Sequence, residues 1–267
     1  TKTKTLIVKG YLPDDFPTIP YIKEGESFIL PASKFIQGVK SVVMSAAVSD
    51  IKPEIASVYL YQQGDSLVFV ATDSFRLAEK KIKQGGVSVP HGIIIPVKNI
   101  LEMVRMFEVE GGDINFLVTK NQISCTRKSF YITSRVVVGV YPDYEQILPK
   151  ENKTEVTLLK EDLVNNLKLS TFFSDKFNKV TFTINPIKKI FTISTKNTEI
   201  GETESILTAT LTGEPIEISL NGKHLFDCLS VIEKDSVVLL FNGADKPAVI
   251  HGFGDTSFTY LTMPLTR

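Results

Sequence analysis

Residues able to do chemistry are sparse in this chain and do not converge. His91, His224 and His251 lie far apart, and none stands at metal-ligand spacing from another or from a cysteine. Cys125 and Cys228 are 103 positions apart with no partner motif, the pattern of reduced thiols in a cytosolic protein. Gly252-Phe253-Gly254-Asp255 is rich in glycine, but it falls between strand-like runs, where a turn is expected rather than a phosphate loop. Asp14-Asp15 is a carboxylate pair set among prolines and reads as solvated. Asn152-Lys153-Thr154 has the form of a glycosylation site without a secretory context. The sequence has no dinucleotide fingerprint, P-loop, zinc-protease helix, nucleophile elbow or calcium loop. These residues predict no catalysis, no metal and no cofactor.

The bulk properties are those of an ordinary globular protein. The chain has 267 residues, 43% apolar and 22% charged, an ordinary globular balance that suits one large or two medium domains. Thirty basic residues offset thirty acidic ones, so net charge does not mark a strongly basic nucleic-acid binder, although a local basic face fits. No apolar run reaches the ~18–20 residues of a membrane span. The opening Thr-Lys-Thr-Lys-Thr has neither the apolar run nor the cleavage site of a secretory signal. A cytoplasmic protein with no membrane association is expected.

The elements that position these residues repeat. Four segments place apolar residues at relative positions 0, 1, 4 and 7, the stamp of an amphipathic helix. They are Phe35, Ile36, Val39, Val42; Ile100, Leu101, Val104, Phe107; Leu163, Val164, Leu167, with Ser170 breaking the last place; and Leu225, Phe226, Leu229, Ile232. Their starts at 35, 100, 163 and 225 are separated by 65, 63 and 62 residues. A short strand-like run precedes each helix, at Ser27–Leu30, Ile93–Ile95, Glu155–Leu158 and Ile216–Leu220. Three more follow each. After the first helix they are Ile55–Tyr61, Leu67–Ala71 and Arg76–Ile82, and after the second Ile114–Thr119, Gln122–Arg127 and Tyr131–Val138. After the third they are Val180–Ile184, Ile190–Thr195 and Ser205–Leu211, and after the fourth Ser236–Phe241, Ala248–Gly252 and Ser257–Met263. Turn residues such as Gln63-Gly64-Asp65, Gly111-Gly112-Asp113 and Asn242-Gly243 separate them. The unit is strand, helix, three strands, which predicts an α+β fold of mostly antiparallel sheets.

Two units make one domain. Pro142-Asp143-Tyr144-Glu145-Gln146-Ile147-Leu148-Pro149 and Pro13-Asp14-Asp15-Phe16-Pro17-Thr18-Ile19-Pro20 are similar proline-rich stretches, each suited to an extended linker ahead of a domain's first strand. Residues 1–22 therefore read as the last strand and linker of a preceding domain whose body is absent. Residues 23–150 read as one full domain and 151–267 as the next.

Three segments carry a family resemblance. Ala71-Thr72-Asp73-Ser74-Phe75-Arg76-Leu77-Ala78 resembles the Ala-Thr-Asp-Gly-His-Arg-Leu-Ala signature of the bacterial replicative sliding clamps, the beta subunits of DNA polymerase III. Tyr141-Pro142-Asp143-Tyr144, followed by Ile147-Leu148-Pro149, resembles their Phe-Pro-Asp-Tyr linker. Tyr260-Leu261-Thr262-Met263-Pro264-Leu265-Thr266-Arg267 resembles their Tyr-Val-Val-Met-Pro-Met-Arg-Leu ending. The resemblance covers nearly the whole chain, matching the end of the family's first domain and all of its second and third.

What the resemblance implies is the DNA-clamp fold and a non-catalytic processivity factor. Two three-domain subunits of the family close head to tail around duplex DNA, with helices inside and sheets outside, and tether the polymerase to its template. Such a ring holds DNA by enclosure and must not grip it, because each neutralised phosphate adds sequence-independent affinity. Lys34, Lys40, Lys98, Arg105, Lys168 and Lys223 on the four helices are the candidates for the DNA-facing surface, with Lys98 and Arg105 falling where the family has basic residues. The family's aromatic pair near the start of the second domain is replaced by Pro53 and Glu54.

The second implied activity is peptide capture. Family partners, among them the DNA polymerase III alpha subunit and the clamp loader, carry a short motif of a glutamine followed by leucine and aromatic residues. It docks in an apolar groove between the last two domains. By resemblance that groove is lined by Ile55, Thr72, Phe75, Arg76, Leu77, Pro142 and Ile147, and by Phe177, Asn221, His224, Leu261, Met263, Pro264 and Leu265. A few apolar anchors in such a groove carry most of the affinity. Arg76 is suited to cap a peptide carbonyl or carboxylate. Ser74 and Phe75 stand in place of Gly-His, Gln146 in place of an arginine and His224 in place of a tyrosine. In the family the third domain of one subunit meets the first of the other just after the third domain's first helix, here Thr171-Phe172-Phe173, making Phe172 and Phe173 the subunit-interface candidates. A chain without the first domain is expected to be monomeric or to assemble otherwise. The alternatives are a peptide-binding adaptor that does not encircle DNA, and a cytosolic α+β enzyme with a scattered site.

Overall fold

The computed structural model describes residues 4–89, 91–128, 130–149 and 151–265. The first unit runs β1 (Glu26–Pro31), α1 (Ala32–Val42), β2 (Ser57–Gln63), β3 (Ser66–Thr72) and β4 (Arg76–Lys83). The second runs β5 (Ile93–Pro96), α2 (Val97–Glu110), β6 (Asp113–Val118), β7 (Gln122–Arg127) and β8 (Phe130–Arg135). The third is β9 (Thr154–Leu159), α3 (Lys160–Thr171), β10 (Lys179–Asn185), β11 (Ile190–Asn197), β12 (Gly201–Ile206) and β13 (Thr210–Gly213). The fourth is β14 (Ile216–Asn221), α4 (Gly222–Val231), β15 (Ser236–Phe241), β16 (Ala248–Gly252) and β17 (Phe258–Thr262). The expected unit thus recurs four times.

Local chemistry sets the helix ends. Asn221 caps α4, its side-chain oxygen accepting from the Lys223 and His224 amides. Pro31 and Pro96 stand just before α1 and α2, where a missing N–H costs nothing. Gly111 at φ 56° takes over from α2 while its N–H still bonds Phe107 O. In α3, Ser170 fills the apolar stamp's broken place by turning its hydroxyl back to Asn166 O, and so is buried without an unpaired polar atom.

The strands form three antiparallel sheets. Two have four strands each, ordered β1-β6-β7-β8 and β12-β11-β10-β14. The third has nine, ordered β13-β9-β15-β16-β17-β4-β3-β2-β5. It is continuous because β4, from the first unit, pairs with β17, from the fourth, in a register that sets Leu77 against Leu261 and Ala78 against Tyr260.

β3 shows how this sheet is buried on both sides. Leu67, Phe69 and Ala71 join the main core with Phe35 and Val39 of α1, whereas Val68 and Val70 join a second cluster on the opposite face. A Cβ on Gly38 would run into the Phe69 ring, so glycine is what lets α1 approach β3. The opposite face is covered by the segment 136–149. Val137 N bonds Ile94 O at 2.9 Å, and Tyr141 stacks on Tyr59 with centroids 4.6 Å apart. Tyr144 donates to the buried Glu79 carboxylate and meets the Tyr61 hydroxyl at 2.7 Å. Burial, then these bonds, push the Tyr144 phenol far above its ordinary pKa of 10.0, so it stays the proton donor.

Three expectations are corrected. The run Ser205–Leu211 is not one strand: β12 ends at Ile206, Leu207 turns inward with its N–H on Phe191 O, and β13 starts at Thr210 on β9. The chain changes sheets there, and a continuous strand could not do so. Tyr131–Val138 stops as a strand at Arg135, because the next residues leave to cross the nine-stranded sheet. The strand expected within 1–22 is not formed in residues 4–22, which hold only a 3-10 turn at Pro13–Asp15. Leu6, Ile7, Val8 and Tyr11 stand exposed there.

Candidate functional site

Part of the expected groove set, Thr72, Phe75, Arg76, Leu77, Leu261 and Met263, lies where β4 meets β17. Leu77 and Leu261 are Cα partners across this junction, and both are fully buried with Tyr141 and Tyr144 of the covering segment. The β3–β4 turn closes on itself. Thr72 Oγ1 donates to Arg76 O at 2.7 Å and accepts from Ser74 N at 3.1 Å. Asp73 Oδ1 accepts from the Phe75 and Arg76 amides at 2.9 and 3.0 Å. This fold of the chain holds Ser74 at φ 78°, a left-handed conformation that glycine adopts without strain. The segment after β17 runs past the turn: Met263 N bonds Phe75 O and Leu265 N bonds Ser219 O, each at 2.8 Å.

Thr72, Leu77 and Leu261 therefore make a buried floor, with Ile55 buried in the turn ahead of β2. Phe75 (67% exposed), Ile147 (47%), Met263 (36%) and the exposed Pro142 make an apolar rim, with Pro264 and Leu265 half-buried behind it. Gln146 bonds the Asp143 carboxylate at 2.6 Å, which fixes the turn that carries Ile147. Asn221 and His224 lie at the head of α4. The Tyr260 hydroxyl, reaching from β17, donates to His224 O at 2.9 Å. Phe177 (58% exposed) sits in the α3–β10 loop, beside the bond from Gly222 N to Asn178 O at the start of α4.

Arg76 departs from its expected role. Its Nε donates to Asp73 Oδ2 at 2.9 Å and its NH1 to Asp227 Oδ2 at 2.6 Å, and its side chain is only 11% exposed. Burial disfavours the guanidinium's charge, but the bonds to Asp227 and Asp73 outweigh it and raise the pKa above its ordinary value. A cation this enclosed is held by carboxylates of the chain itself rather than left free for a ligand. Asp227 was not legible as a site residue, since it lies 151 positions from Arg76; its only signal is a carboxylate on α4 one turn beyond His224. Burial first, then the facing Arg76, lower the His224 pKa from its ordinary 6.5, while Asp73 and Asp227 pull the other way. His224 is thus a neutral group at pH 7.

Three of the six candidate helix cations are paired with carboxylates. Lys98 meets Asp50 at 2.6 Å, Arg105 meets Glu102 at 2.5 Å, and Lys40 meets Glu108 across the α1–α2 pair. Lys34 donates to Lys83 O at 2.7 Å. Lys168 and Lys223 flank an apolar pocket of about 530 Å³ between α3 and α4, lined also by Leu167, Phe172, Val180 and Phe226. Of the two expected interface phenylalanines, Phe172 is 73% exposed, whereas Phe173 is half-buried near Gly201 at the start of β12. Cys125 and Cys228 are free and buried, and burial raises both thiol pKa values. Among the described residues no cluster of three or more His, Cys, Asp or Glu could hold a metal ion, and no helix is long and apolar enough to cross a membrane.

Two family models match this chain. Residues 29–143 match the central domain of the DNA polymerase III beta subunit and residues 145–266 match its C-terminal domain. Among curated proteins, the beta sliding clamp of Synechocystis is 26% identical over 97% of this chain and 70% of its own length. That of Bacillus subtilis is 25% identical over 97% and 69%. Among solved structures, the DNA polymerase III beta subunit of Pseudomonas aeruginosa superposes with a TM-score of 0.89 at 26% identity, over 95% of this chain and 69% of that one. A sliding clamp of the same organism bound to griselimycin gives 0.89 at 25%.

Proposed function

This chain belongs to the family of bacterial DNA polymerase III beta subunits, the beta sliding clamps, and from that premise we propose how its parts serve a clamp. The protein is a sliding-clamp subunit of DNA replication and a non-catalytic one. The groove at the β4–β17 junction receives a short peptide of the polymerase alpha subunit, the clamp loader or another partner, through leucine and aromatic anchors. The observation that carries this is the pairing of a buried floor, Leu77 and Leu261, with exposed apolar rim residues Phe75, Ile147 and Met263 at one place. Exposed apolar side chains clustered over a packed floor are the usual form of a peptide anchor site. Met263 adds an adaptable wall suited to several partners. Ile55, Thr72, Pro142, Phe177, Asn221, His224, Pro264 and Leu265 complete the groove. Arg76 enters it as an organiser.

Residues 23–150 and 151–267 serve as the middle and C-terminal clamp domains, and 1–22 as the linker into the middle one. The helices face duplex DNA within a ring, presenting Lys34, Lys40, Lys98, Arg105, Lys168 and Lys223. Carboxylates beside Lys40, Lys98 and Arg105 weaken any single phosphate contact, which suits sliding. The open β12 edge with Phe172 and Phe173 offers a further clamp domain the kind of face that β4 offers β17. The place of action is the cytoplasm, with the replication machinery.

Fluorescence-anisotropy titration of a labelled peptide carrying glutamine, leucine and a terminal aromatic tests the groove. Saturable micromolar binding is expected, weakened tenfold or more by Met263→Ala or Phe75→Ala. Both positions are exposed enough that folding is retained. Unchanged affinity in both variants contradicts the reading.

A further inference from the structure

Arg76 adjoins Leu77 of the groove floor along β4, and its side chain and carbonyl are both held. Asp73, in its own turn, holds Nε; Asp227, on α4, holds NH1; its own main-chain carbonyl accepts from Thr72 Oγ1. The two carboxylates belong to the first and fourth units. Arg76 therefore fastens α4 to the β3–β4 turn across the same junction that β4 and β17 close by main-chain pairing. Asp73 is already committed, since its other oxygen accepts two amides of the turn. Asp227 is the partner that reaches across from α4. It lies three residues beyond His224, whose carbonyl takes the Tyr260 hydroxyl, so α4 is tied twice to the strands beside the groove floor, to β4 and to β17. One guanidinium between two carboxylates leaves the trio with one net negative charge.

We propose that Asp227 is a positioning residue of the peptide groove: by holding Arg76 against α4 it sets the distance between the β3–β4 turn and the head of α4, and it keeps the guanidinium from acting as a free cation toward a peptide carboxylate. This rests on the groove reading above. The groove then selects its peptide by apolar anchors and gives no advantage to a negative charge beside them. Asn at position 227 keeps shape and hydrogen bonding but removes the charge, and leaves Arg76 with a single carboxylate. The trio then carries no net charge instead of one negative charge, and the groove loses that negative field.

The test uses two labelled peptides with the same glutamine–leucine–aromatic sequence, one ending in a free carboxylate and one in an amide. Each is titrated against the full chain, Asp227→Asn, Arg76→Gln and the double variant. The parent is expected to bind the amide at least as tightly as the acid. In Asp227→Asn the amide weakens several-fold, and the ratio of acid to amide affinity rises threefold or more, an increase that 0.5 M salt removes. In the Arg76→Gln background, Asp227→Asn moves the ratio less than half as far, by the direct effect of the lost carboxylate charge alone. A parent that prefers the acid threefold or more overturns the proposal without reference to any variant, which covers the case that Asp227→Asn fails to fold. An Asp227→Asn chain that loses both peptides equally, with the ratio unchanged, overturns it too and leaves the groove reading intact. A folded parent that binds neither peptide overturns the groove reading itself, and the proposal with it.

Discussion

β4 and β12 occupy the same place in their units, yet one lies in the interior of a nine-stranded sheet and the other forms a free edge. β4 buries Leu77, Ala78, Glu79 and Ile82, whereas β12 buries nothing and ends on Ile206, which is 77% exposed. The sequences anticipate the difference. β4 is Arg-Leu-Ala-Glu-Lys-Lys-Ile-Lys and fills both faces, while β12 is Gly-Glu-Thr-Glu-Ser-Ile and sets Glu202 and Glu204 along its edge. Charge of this kind blunts an edge against indiscriminate pairing. The lesson is that the repeat fixes the unit, whereas a strand's neighbours decide whether its end becomes a groove. At β4 the partner β17, the covering segment and α4 converge on one turn. At β12 no such convergence occurs.

Substitutions on the two strands and their neighbours should separate accordingly. Tyr260→Ala, opposite Ala78 in the junction, removes a fully buried ring and a hydrogen bond, and should lower stability by about 3–5 kcal/mol in urea unfolding. Ile206→Ala on β12 should stay within about 0.5 kcal/mol. Similar losses at both would erase the contrast.

Ion pairs should sort the same way. Asp227→Ala strips a partner from the enclosed Arg76 and should cost about 1–3 kcal/mol in the same assay. Glu202→Ala breaks a pair with Lys196 whose members are 74% and 70% exposed, and should cost less than about 0.5 kcal/mol.

Acidification adds a third contrast. His224 at the junction has a folded pKa below 6.5, so the unfolded chain binds more protons as pH falls through that value. Stability is then present above 6.5 and is lost progressively below it. Thermal melts of the parent should therefore fall more steeply between pH 7 and pH 5 than those of His224→Gln, and parallel curves would contradict this. Ser74→Gly, the smallest effect, should raise stability by a few tenths of a kcal/mol to about 1 kcal/mol, because it relieves φ 78° at some entropic cost in the unfolded chain. A loss of stability would show that the serine contributes more than its backbone conformation suggests.

Much of this architecture was legible from spacing. The steps of 65, 63 and 62 residues between helix starts announced four similar units, and the turn residues marked their strands. The break at Leu207 was not legible, because β12 and β13 both carry strand-forming residues and only the change of sheet separates them. The apolar groove residues came from motif resemblance, and the structure shows which are floor and which are rim. Asp227 was out of reach, since an ion pair between residues 151 positions apart leaves no periodic trace. Nor could the sequence show that Asp50, Glu102 and Glu108 sit against the helix cations, for only Glu102 is near its partner along the chain.

The central claim is that partner peptides dock at the β4–β17 junction. Amide chemical-shift mapping on the isotope-labelled chain, with the glutamine–leucine–aromatic peptide added to saturation, tests it most directly. The account predicts that the largest shifts fall on Phe75, Arg76, Ile147, Met263 and Leu265, while Thr203 and Glu204 of β12 stay in place. Shifts centred instead on Thr171, Phe172 and Phe226 around the α3–α4 pocket would contradict it.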